Sequence, residues 1–188
     1  MLLAKASSLV IVFATALFSA AEIRDVDFKN FVYPWDPPHG VPGVWSWLPG
    51  KAATGVHLNA GQYEFTGPSF VALVSFSSVT YGDLDGDGHD EAAVDLYCST
   101  GGTANWHYLY VFTLANGTPR LMARLESGSR HDGGLVKIAV EQQTLILEFE
   151  DPNRFGPACC SDGYVRMKYR WQGGRFVETD APEHGDLR

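Results

Sequence analysis

From Val56 onward, apolar and polar positions alternate in short runs separated by turn residues, the pattern of half-buried strands. Val56–Leu58 and Gln62–Phe65 are predicted to pair across Asn59-Ala60-Gly61. A run rich in Val, Phe, Ser and Thr spans Phe70 to Tyr81, and Glu91 to Cys98 places Ala92, Val94 and Leu96 on one face. Tyr108–Leu114 is a third long strand, and Asn116-Gly117 is a hairpin signal that returns the chain through Arg120 to Leu125. Two more hairpins follow, Leu135–Val140 with Thr144–Glu150 and Tyr164–Trp171 with Arg175–Glu178. In Tyr164–Trp171, Val165, Met167, Tyr169 and Trp171 face one way while Tyr164, Arg166, Lys168 and Arg170 face the other. One dry face and one wet face suit antiparallel pairing.

The pattern predicts an all-β, mainly antiparallel domain over residues 51–179, a compact sandwich, barrel-like fold or meander. No later segment has a helical period, and no internal repeat is present, which excludes a full propeller. Residues 22–50 break the pattern. Pro34, Pro37, Pro38, Pro42 and Pro49 alternate with Trp35, Trp45 and Trp47, which predicts an extended arm. The three tryptophans form a possible ligand surface, stacking on sugar rings or a partner's prolines; the simpler expectation is that they fasten the arm to the domain's own core. Residues 180–188 are polar and read as a flexible tail.

Residues 1–21 carry Lys5, an apolar run from Leu9 to Phe18 and small residues at Ser19, Ala20 and Ala21. This reads as a secretory signal peptide cleaved before Glu22, and it predicts a secreted or periplasmic protein with no transmembrane segment after cleavage. The full chain of 188 residues has a formal charge of −8. Loss of Lys5 leaves 13 basic against 22 acidic side chains, a charge of −9 that disfavours nucleic acid as a partner. An oxidising destination permits a disulfide, and Cys98 with Cys159 or Cys160 is the expected pairing, with an adjacent Cys159–Cys160 bridge as the alternative.

Between two apolar runs lies YGDLDGDGHDEAAV, with Asp83, Asp85 and Asp87 at alternate positions, then Gly88 and Glu91. Carboxylates at this spacing suit a hard cation, Ca²⁺ before Mg²⁺, and would repel one another without it. The stretch DLDGDGHDE resembles the calcium loop of FG-GAP and VCBS repeats, found in integrin α propellers. The resemblance implies side-chain ligands Asp83, Asp85, Asp87 and Glu91 with the carbonyl of His89; Glu91 stands where aspartate is commoner. An EF-hand is excluded because its twelfth position is Val94. The wider chain resembles an uncharacterised family of secreted bacterial proteins through DFKNFVYPW, the acidic loop, the STGG of Ser99 to Gly102, YVFTLANGTPRL, SGSRHDGG, PACC and MKYRWQGGRF. No catalytic activity comes with that likeness.

Other chemistry is thin. Arg130, His131 and Asp132 sit in GSRHDGG, but adjacent strand residues point to opposite faces, so a polar turn is the simpler reading. There is no HExxH, CxxC, phosphate loop or GxSxG elbow. His57 and His107 read as strand histidines, and Glu148 and Glu150 as a wet strand face. The sequence therefore predicts a secreted calcium-binding β-domain that engages a protein or carbohydrate ligand. The alternative is a secreted hydrolase or carbohydrate-active enzyme using acidic residues or His131.

Overall fold

The computed structural model describes residues 22–35, 55–66, 71–99, 101, 105–129, 134–154 and 161–187. The signal-peptide reading, Trp45, Trp47, His131, Cys159 and Cys160 lie outside them. The described residues contain twelve strands, two single-turn 3₁₀ segments and no α-helix. The strands are β1 Val32–Tyr33, β2 Val56–His57, β3 Gln62–Thr66, β4 Val71–Gly82, β5 Glu91–Ser99 and β6 Asn105–Ala115. They continue with β7 Thr118–Ser129, β8 Leu135–Glu141, β9 Thr144–Glu150, β10 Gly163–Gln172, β11 Arg175–Glu178 and β12 Glu183–Asp186. Every pairing is antiparallel. The all-β expectation holds.

One sheet runs β3-β4-β5-β6-β7 and a second runs β11-β10-β9-β8, with β12 on β10. The first sheet is covered on both faces, which explains why β5 is buried at its first six positions. Ala92, Val94, Leu96 and Cys98 join Tyr108, Tyr110 and Phe112 on one face, under Ile23, Phe28, Tyr33 and Trp35 of the N-terminal arm. Ala93, Leu109 and Val111 face the other way and meet Leu145, Leu147, Ile138 and Val140 of the second sheet. Alternating side chains thus feed two separate cores from one strand. Close approach of the sheets depends on Gly82, where an added Cβ would lie 2.5 Å from a Val140 methyl.

Residues 22–35, the described part of the arm, hold regular structure. Glu22 and Asp27 begin two 3₁₀ turns at Ile23–Asp25 and Phe28–Asn30, and β1 pairs with β2. The Tyr33 hydroxyl donates to Phe28 O at 2.6 Å, and burial pushes its pKa well above the phenol range. Tyr110 donates to Pro34 O at 2.9 Å. Trp35 is only 6% exposed and packs edge-on against Tyr108 at 5.3 Å, so it belongs to the core and not to a ligand surface.

Three further expectations are corrected. Val56–Leu58 and Gln62–Phe65 do not form a hairpin; β2 pairs with β1 and β3 with β4, leaving only an Asn59–Gln62 bridge. The supposed tail forms β12, which pairs with β10 from Gly163↔Asp186 to Arg166↔Glu183 and is further tied by ion pairs. Glu183 pairs with Arg166 and Lys168, Arg154 with Asp186, and His184 Nδ1 lies 2.9 Å from Asp151. Glu148 is not on a wet face: it is 6% exposed beneath Arg166, whose Nη2 lies 2.7 Å from its Oε1.

Candidate metal centre

The loop between β4 and β5 is fixed from below by Leu84, which is 1% exposed and belongs to the core between the sheets. Above it, carboxylates organise the backbone. Asp83 accepts from Gly86 N at 2.6 Å and from Gly88 N at 3.3 Å. Asp85 accepts from Asp87 N at 3.1 Å, and Asp87 from His89 N at 2.8 Å. Gly86 and Gly88 take φ of 83° and 88°, the left-handed region open to glycine without steric cost.

Glu91 anchors the far end. It is wholly buried at the start of β5, and its Oε2 accepts from Leu84 N at 2.7 Å and Asp85 N at 3.4 Å. Thr113 interacts with the carboxylate, but Oε1 makes no hydrogen bond of ordinary geometry. Burial is the main cause raising its pKa; the Leu84 N–H opposes it and Asp85 reinforces it.

Asp83, Asp85 and Glu91 each offer an oxygen within 4.8 Å of the others. Three full charges at that spacing repel by roughly 3–4 kcal/mol per pair at an effective dielectric of 20. An all-oxygen donor set with one buried, unsatisfied oxygen fits a hard divalent cation. Of the four side-chain ligands predicted from sequence, these three come together and Asp87 stands apart. His89 and Asp87 instead line a groove of about 550 Å³ beside the loop. Its other wall is Glu22, Ile23 and Arg24, and Arg24 spans the two walls by reaching Asp90 at 2.7 Å.

The opposite end of the sandwich carries a second constellation, which the sequence reading missed. Both carboxylate oxygens of buried Asp95 lie 2.9–3.0 Å from His107 Nδ1. The pair is twelve residues apart in sequence but diagonal across the β5–β6 ladder, where Tyr97 opposes His107 and Asp95 opposes Leu109. An acid inside the apolar run Ala92–Cys98 was the available signal. His107 lines a cleft of about 300 Å³ with Tyr97, Asn105, Gly134, Leu135 and Glu150.

Cys98 is a free thiol, fully buried, so the expected bridge from it is not formed. Its side chain is directed into the aromatic core, and burial pushes its pKa well up, which suppresses thiolate chemistry. No helix among the described residues is long and apolar enough to cross a membrane. No protein-family model matches the chain, and no curated protein or solved structure matches it.

Proposed function

We propose that the protein is a secreted calcium-binding β-sandwich module in which the ion is structural. The observation that carries this reading is the convergence of Asp83, Asp85 and Glu91 oxygens within 4.8 Å, with Glu91 buried and its Oε1 unsatisfied. The ion would neutralise carboxylates that the loop already orients through its own N–H groups. The His89 carbonyl, implied by the FG-GAP resemblance, would complete the set. Holding the loop fixes one wall of the adjoining groove, where Asp87, His89 and Asp90 would meet a protein or carbohydrate ligand.

Calorimetric titration of chelator-treated protein with calcium tests this. One site is expected, with a dissociation constant of about 0.1–1 mM, the range of extracellular modules. Glu91→Gln should abolish the binding while the strand content is retained. Absence of calcium binding by the folded wild-type chain contradicts the proposal.

A further inference from the structure

The cleft at the end remote from the acidic loop has a chemistry of its own. Glu150 closes β9, and its N–H donates to Gly134 O at 2.9 Å, which fixes the root of its side chain at the cleft wall. Its Oε2 is buried and accepts no hydrogen bond, and no cationic side chain among the described residues pairs with it. Asn105, at the start of β6, presents a second buried acceptor without a donor, its Oδ1. Two buried acceptors left unmatched beside one small cavity are unusual, because such groups lose their hydration without compensation. Tyr97 supplies an aromatic wall, its ring 5.4 Å from His107 and edge-on to it. His107 is itself held by buried Asp95, so the wall is pinned from behind.

We propose that this cleft binds a cationic, donor-rich group, an alkylammonium or guanidinium. The ligand's N–H groups would draw the Glu150 and Asn105 side chains toward the cleft, giving their buried oxygens a donor, while Tyr97 would receive the cation against its ring. A volume near 300 Å³ accommodates such a head group with a short alkyl stem, and Leu135 gives that stem an apolar contact. Charge selects the ligand's sign: Glu150 is the carboxylate among the described lining residues, His107 is engaged by Asp95, and no lysine or arginine is among them.

The test is titration of the full chain, observed by NMR, with butylammonium and methylguanidinium, with butyrate and sodium chloride at matched ionic strength as controls. Saturable binding of at least one cation is expected at millimolar concentration, with none for butyrate. Glu150→Gln should weaken it at least tenfold. Leu135→Phe, which fills the cleft without altering charge, should weaken it similarly and guards against a folding defect in the first variant. Gly-Lys-Gly and Gly-Arg-Gly peptides distinguish the source. Binding by the peptides assigns the site to a partner's side chain, and binding by the free cations alone assigns it to a small molecule. No saturable binding of any cation, or wild-type affinity in the variants, overturns the proposal and leaves the cleft to water.

Discussion

The two ends of this sandwich both hold carboxylates, yet they arrange them in opposite ways. At the acidic-loop end, Asp83, Asp85 and Glu91 converge on one another while the loop's N–H groups satisfy their outer oxygens. The sheets are tightly joined there, with Gly82 against Val140 and tight turns at Asn116-Gly117, Gln142-Gln143 and Gly173-Gly174. At the other end, Glu150 stands without a donor for Oε2 beside an open cleft. The number of acidic groups therefore does not define a site; their spacing and the supply of donors do. Converging carboxylates suit a metal ion, whereas a carboxylate oxygen without a donor suits a hydrogen-bonding cation.

The contrast is sharpest on truncating one glutamate at each end. Glu91→Ala strands the N–H groups of Leu84 and Asp85 and opens a void, so a loss of about 3 kcal/mol is expected in urea unfolding. Glu150→Ala removes an unmatched acceptor and should change stability by no more than about 0.5 kcal/mol without ligand. Equal losses at both ends would erase the distinction. Gly82→Ala probes the close approach of the sheets; its Cβ meets Val140 side-chain atoms at 2.5–2.9 Å, and a loss of about 2 kcal/mol is expected from overpacking.

A smaller effect belongs to the turn beside the acidic loop. Gln142 and Gln143 both take positive φ, 48° and 62°, which glutamine adopts only at a cost. Replacing them with Asn-Gly should stabilise the fold by about 0.5–1 kcal/mol by the same measurement. The smallest expected effect is acid release of β12. Backbone Asn153 and then His184 hold Asp151 below the usual carboxylate pKa, and Lys168 chiefly does the same for Glu183. For carboxylates so depressed, the stabilisation is present above the unfolded-state value near 4 and is lost as pH falls through the folded one. Amide exchange in Glu183–Asp186 should therefore accelerate below about pH 4, before the rest of the second sheet opens.

Much of this architecture is legible in residue order because the strands from β4 to β11 alternate and are joined by glycine- or amide-rich turns. The acidic loop is legible for a simpler reason: its carboxylates, Asp83 to Glu91, lie close together in sequence. What sequence order hides is what distant segments do to one another. Val56 finds its partner at Tyr33, not at the nearer Gln62–Phe65, because the arm covers the aromatic face. Glu183–Asp186 has no apolar alternation, since the β10 ladder and ion pairs, not burial, hold β12. Asp95 and His107 meet only through the register of a hairpin. Trp35 and Cys98 look reactive or adhesive in isolation, and both are core residues.

An ion held by the acidic loop would be coupled to the fold. Thermal unfolding of residues 22–188, with and without calcium, beside an Asp85→Ala variant, tests it most directly. The wild-type melting temperature is expected to rise with calcium, equivalent to about 2.7 kcal/mol at a hundredfold excess over the dissociation constant. That rise should vanish in the variant. A wild-type melting temperature indifferent to calcium at every concentration would reduce the loop to a turn held by its own backbone.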